Sequence, residues 1–147
     1  MIKKPFFLTI VLIFSIVNLA SAVDLGQLFG QVKSELLQKG VAAADVNTIQ
    51  PTASNLLKLG VSKDSLVDMV KGLVGSGVNG NALNSPLEAL KNLIQSGEKP
   101  SLASNLMSLA INQVKSQNLT GNGAVSKIVN FINQKKAEFL SLKEQVH

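Results

Sequence analysis

Two short strings in this chain spell catalytic motifs. Gly75-Ser76-Gly77-Val78-Asn79-Gly80 matches G-x-G-x-x-G. In a dinucleotide site those glycines follow a strand and open a helix, so that the backbone can approach a pyrophosphate. Here the string follows a helical pattern, no parallel sheet is on offer, and it reads as a helix end and turn. Ser96-Gly97-Glu98-Lys99 matches S-x-x-K, the serine nucleophile motif of penicillin-binding enzymes. That chemistry needs the lysine one helical turn beyond the serine. Gly97 and Pro100 instead place the string in a turn between helices, and the companion motifs are missing.

Few other groups remain for chemistry. The chain has no cysteine and a single histidine, His147, its last residue. A histidine base or ligand needs an oriented ring, and chain ends fray. Zinc, copper, haem and thiol chemistry therefore lack ligands, and no metal or cofactor is expected. Asp64 and Asp68 lie one helical turn apart and would pair as carboxylates, but Lys63 and Lys71 beside them favour a solvated outer face. Asn118-Leu119-Thr120 is an N-glycosylation sequon at an expected exposed turn, meaningful in a eukaryotic host. Nothing in this inventory argues for an enzyme.

Charge narrows the partners further. All 14 cations are lysines, so the planar guanidinium fork that grips phosphate, carboxylate or guanine is absent. Tyrosine and tryptophan are absent too, and beyond residue 22 only Phe29, Phe131 and Phe139 are aromatic. Nucleic-acid binders cluster cations with stacking aromatics, and nucleic acid is excluded on that ground.

The N-terminus directs the rest of the chain. Lys3 and Lys4 precede an apolar run from Phe6 to Val17, and Ala20-Ser21-Ala22 follows. A positive start, a short apolar run and an A-x-A site make a cleavable secretory signal peptide over residues 1–22. The run is shorter than the roughly 20 apolar residues of a spanning helix. Removing 22 of 147 residues leaves 125, with 12 lysines against 9 acids. That is one domain, residues 23–147, expected to be secreted or periplasmic. Without cysteines its stability must come from packing rather than from disulfides.

Positioning falls to helices. Apolar residues recur every three to four positions and nowhere alternate as in a strand. Glycine-marked breaks recur about every 20 residues: Gly40-Val41, Gly60-Val61, Gly77-Val78, Gly97, and a fifth at Asn118-Leu119-Thr120-Gly121. A glycine past the last periodic residue is the expected helix C-cap. The fold class is therefore all-α, a bundle of about six short helices behind the signal helix, with weak helix-hairpin repeats. Asp24 caps the first helix. Pro51 separates a short helix ending near Ile49 from a second one. Ser62 caps the next. Ser85-Pro86-Leu87-Glu88 forms a capping box. Pro100 opens a helix with Leu102, Leu106, Leu109, Ala110 and Val114 inward. Asn122 caps the last, whose apolar face is Val125, Ile128, Val129, Ile132, Phe139, Leu142 and Val146.

Three functions are compatible with these features. The first is a non-enzymatic binding or interaction protein of the cell envelope or extracellular space, holding a protein or an apolar small ligand in a groove between helices. The second is a lipid-associating protein making peripheral membrane contact. It would use the small residues Gly72 and Gly75 on a helix apolar over most of its surface, where the simpler role is close helix packing, or the amphipathic C-terminal helix with Lys135, Lys136 and Lys143. The third is a small serine or carboxylate hydrolase.

Overall fold

The computed structural model describes residues 26–146, so the signal segment, Asp24 and His147 lie outside the described residues. Six α-helices and one short 3-10 turn account for the fold, and no strand occurs among the described residues. They are α1 (residues 26–38), α2 (Ala43–Lys58), α3 (Lys63–Gly75), the 3-10 turn (Gly80–Leu83), α4 (Asn84–Gln95), α5 (Pro100–Ser116) and α6 (Gly121–Val146). Helix α4 is the hub, packing on α2, α5 and α6, while α3 packs on α5. Its fully buried Leu87, Leu90 and Leu93 meet a core of aliphatic side chains that includes Leu36, Leu56, Leu73, Met107 and Ile128.

The five breaks share one geometry. At the end of α1, Val41 N–H donates to Leu36 O at 2.9 Å and Gly40 N–H to Leu37 O at 3.1 Å. That pair of bonds is the Schellman motif, which satisfies carbonyls a helix end leaves open. The same pair recurs as Val61 to Leu56 with Gly60 to Leu57, and as Val78 to Leu73 with Gly77 to Val74. It recurs again as Glu98 to Leu93 with Gly97 to Ile94, and as Leu119 to Val114 with Asn118 to Lys115. The residue after each turn glycine is a buried valine in the first three turns, so each cap also feeds the core. Glu98 breaks that rule, and its amide makes the longest of the five outer bonds, 3.4 Å.

At the fifth turn the residue that closes the Schellman bonds is Asn118, with φ of 58°, and Gly121, also left-handed with φ of 54°, opens α6 three residues on. Asparagine tolerates this conformation better than other side chains but less well than glycine. Asn118→Gly is therefore expected to raise stability by about 0.5–1 kcal/mol, and Asn118→Ala to lower it by about 1 kcal/mol. Urea denaturation of the three proteins checks the order.

Several local expectations are corrected by the tertiary packing. Pro51 sits inside one continuous helix, α2. Val46, Ile49, Ala53, Leu56 and Leu57 form a single buried stripe on both sides of it, and splitting the helix would break that register. Pro51 itself is exposed. The capping box at Ser85 does not form. The 3-10 turn runs directly into α4, which begins at Asn84, so Ser85 lies inside the first turn and Glu88 is drawn elsewhere. Asn122 likewise lies inside the first turn of α6 rather than ahead of it. On α5, Leu102 and Leu109 are 48% and 53% exposed, while Ala103, Met107 and Ile111 take the inward face with Ala110 and Val114. Leu142 of α6 is 62% exposed and leaves the expected apolar face. Ser62 does cap α3, its Oγ accepting from Ser65 N–H at 3.1 Å.

Candidate functional site

Polar side chains converge on a groove between α4 and α6. It is lined by Asn84, Ser85, Glu88, Ala89 and Asn92 from α4 and by Val129 and Asn133 from α6, and it has a volume of about 330 Å³. Two other hollows carry less chemistry. One, near Asn55, Lys58, Leu59 and Gln95, lies between the ends of α2 and α4. The other is a shallow depression on α6 at Ala137, Glu138, Ser141 and Leu142.

The groove owes its form to residues three and four apart on α4. Leu87, Leu90, Leu93 and Ile94 bury one face, which leaves Asn84, Glu88 and Asn92 on the side that lines the groove. Ala89 and Val129 are small enough to leave space between the two helices. Behind the groove stands α2. Buried Thr52 donates its hydroxyl to Glu88 Oε1 at 3.0 Å, and Lys91 Nζ approaches Glu88 Oε2 at 2.8 Å. Asn84 Nδ2 donates to the Thr48 carbonyl at 3.3 Å. Because a carbonyl can only accept, this bond assigns the other amide atom as oxygen. That atom, Asn84 Oδ1, is buried and has no hydrogen-bond donor. Such an orphan costs roughly 1–3 kcal/mol relative to a satisfied one.

Glu88 is an anion in this setting. The Lys91 ammonium holds its carboxyl below the usual carboxylate range, partial burial opposes the shift, and the Thr52 hydroxyl reinforces it. A general acid at neutral pH needs the reverse. Ser85 is exposed, and the only carboxylate lining the groove, Glu88, is already engaged by Thr52 and Lys91. The arrangement can hold hydrogen-bonding groups; it has no serine–base pair poised for acyl transfer.

A pH dependence follows. With its folded pKa depressed, Glu88 contributes stability above the ordinary carboxylate range and loses it as pH falls through the folded value. Its side chain is 43% exposed, so screening keeps the effect under about 1 kcal/mol. Urea melts at neutral and acid pH should show Glu88→Gln less stable than the parent at neutral pH, with the gap closing in acid.

The residues singled out in sequence are dispersed. Gly72 is buried on α3, where an added Cβ would come within 3.0 Å of Ile111 Cγ2 on α5. Gly75 is exposed, with open space around it. Gly77 turns α3 and Gly80 opens the 3-10 turn, where its amide donates to Asp45 Oδ1 at 2.8 Å. These glycines thus make turns rather than a phosphate cradle. Ser96 and Lys99 flank the α4–α5 turn, and the Ser96 hydroxyl donates back to Asn92 O. Asp64 and Asp68 are exposed, and Lys63 pairs with Glu35 of α1. Asn118 is exposed in its turn. None of them lines the groove. The four-residue spacing of Asn84, Glu88 and Asn92 was the one readable signal for it. No group of three or more acids or histidines is placed to hold a metal among the described residues.

Family models, curated proteins and solved structures give no match to this chain. The site is therefore argued from its own geometry.

Proposed function

We propose that the protein is an exported, non-enzymatic binding protein of the cell envelope or extracellular space, with the α4–α6 groove as its binding site. Export rests on the signal pattern of residues 1–22. The observation that carries the binding role is the groove itself, where three carboxamides, a hydroxyl and an ionised carboxylate surround a small apolar floor. A few placed polar groups over an apolar base is the usual composition of a ligand site. Its rim favours a partner bearing N–H or O–H groups over a purely apolar ligand. Native mass spectrometry of protein purified from its own host tests the reading. A bound small molecule or partner is the expected result, and a persistently ligand-free, partner-free monomer counts against it.

Peripheral lipid contact is the second reading, favoured by exposed Leu102, Leu109, Leu140 and Leu142. No helix among the described residues is long and apolar enough to cross a membrane. Co-sedimentation with anionic vesicles should then fall with added salt, and absence of binding at low salt removes it.

A further inference from the structure

We propose that Asn79-Gly80 is a modification site, where the asparagine converts to aspartate or isoaspartate, and that Asp45 keeps it closed in the folded protein. Asn79 and Asn122 are the two asparagines of this chain that precede a glycine. The residue that follows matters because its backbone nitrogen is the nucleophile. Glycine leaves that nitrogen unhindered and its peptide plane free to turn. Asn122 lies in the first turn of α6, where closing a ring on its side chain requires that turn to unwind. Asn79 stands in extended backbone, with φ of −148° and ψ of 170°, just ahead of the 3-10 turn. It is exposed, and its side chain caps nothing. Its carboxamide is open to solvent beside the nitrogen that would attack it.

The steps balance with solvent alone. Gly80 N gives its proton to solvent base and bonds to Asn79 Cγ. The Cγ–Nδ2 bond then breaks, and Nδ2 takes a proton from solvent and leaves as ammonia. Water opens the cyclic imide that remains. Addition at Cγ yields aspartate, and addition at the Asn79 backbone carbonyl yields isoaspartate. The structure opposes the first of these steps. Gly80 N–H donates to Asp45 Oδ1 at 2.8 Å, across 35 residues and in a partly buried setting. Ring closure must rotate the Asn79–Gly80 peptide plane, and that rotation breaks a charge-assisted bond. A hydrogen bond to the protonated form of a group also disfavours its deprotonation, and an amide anion beside a carboxylate meets like charge. Together these hold the folded protein about ten- to a hundredfold below the rate of the freed amide. Conversion undoes the guard. It adds a second carboxylate close to that of Asp45, and isoaspartate also lengthens the backbone between the buried anchors Val78 and Leu83. The 3-10 turn is thereby loosened from α2, on which it packs.

Peptide mapping by mass spectrometry, after incubation at mildly alkaline pH, follows Asn79 and Asn122 in the same sample. The proteins compared are the parent, the parent in urea, Asp45→Ala and Asp45→Asn. Asp45 is half-buried in the first turn of α2, and the isosteric Asp45→Asn keeps its packing and an acceptor oxygen while removing the charge. In the folded parent Asn79 should convert slowly. In Asp45→Ala it should convert about ten- to a hundredfold faster, with Asp45→Asn between the two. Asn122 should keep its parental rate in both variants, and urea should release Asn79 fully. An Asn79 rate unchanged by both substitutions overturns the role of Asp45. So does equal acceleration of both asparagines in Asp45→Asn, which reports general unfolding rather than release of one amide. Melting curves verify the fold, and Asp45→Asn decides the matter if Asp45→Ala is unfolded. Failure of Asn79 to convert in urea, where Asn122 does, overturns the site itself.

Discussion

Gly72→Val will destabilise the fold by about 2–3 kcal/mol, while Gly75→Ala, three residues on, will leave stability unchanged or raise it by up to about 1 kcal/mol. The two glycines share a helix and look equivalent in sequence. At Gly72 a Cβ would meet Ile111 Cγ2 at 3.0 Å and Ile111 Cδ1 at 3.4 Å, so α3 and α5 must separate or the isoleucine must leave its rotamer. Nothing stands within 4 Å of a Cβ at Gly75, and alanine there simply reduces the freedom of the unfolded chain. Ile111→Ala removes both of the crowding atoms. By itself it should cost about 2–5 kcal/mol through the cavity it leaves. Combined with Gly72→Val it should cost less than the sum of the two, with a coupling of about 1–2 kcal/mol. Chemical denaturation of the four proteins measures that cycle, and strict additivity would show that the α3–α5 contact does not depend on this glycine.

The second large effect belongs to Gly97. Gly97→Val should cost about 2–3 kcal/mol and should free the far end of α6. The backbone at Gly97 has φ of +115°, a conformation that a β-branched residue does not adopt without strain. Space is short as well, because a Cβ would lie 3.1 Å from Lys143 Nζ and 3.5 Å from the Phe139 ring. Lys143 Nζ also donates to Ser96 O at 3.2 Å, so a cation from α6 answers one of the open carbonyls at the C-terminus of α4. Amide hydrogen exchange provides the readout. Faster exchange around Phe139 to Lys143 is expected in Gly97→Val. Gly40→Val should show no such change there, because Gly40 also has positive φ but open space around it. Equal exchange in both variants would mean that Gly97 does not hold α6 in place.

Both predictions turn on glycines that sequence reading treats alike. The turn glycines were legible because a left-handed residue after an apolar period is a local demand, written in the few residues around it. That is why four of five turns were placed on their glycine, and why the fifth was located while the residue that closes its Schellman bonds, Asn118, was not singled out over the equally left-handed Gly121. Close approach is not local. Gly72 faces Ile111 and Gly97 faces Phe139 only because α3, α5 and α6 have docked, and nothing in the neighbouring residues distinguishes Gly72 from Gly75.

The candidate site divides in the same way. Glu88 was read as half of a capping box with Ser85, a local role. The preceding 3-10 turn leads straight into α4, and the carboxylate turns to Thr52 and Lys91 instead. Thr52 lies 36 residues away in sequence, on a helix that the proline rule would have ended. A carboxylate's best donors are decided by which helix packs beside it, and propensity carries no information about that.

The amino-acid sequence by itself determined the all-helical class, the positions of the turns and the absence of cysteine, arginine and interior histidine chemistry, because periodicity, left-handed caps and composition are properties of short windows. Tertiary structure alone decided that Pro51 stays within a helix, that Leu102 and Leu109 face outward while Met107 and Ile111 face in, and that Asn84, Glu88 and Asn92 line one groove with Asn133. Each of those outcomes depends on the free energy of burying one helix face against another. That term is summed over side chains from distant segments, and it outweighs the roughly 1–3 kcal/mol that a local preference supplies.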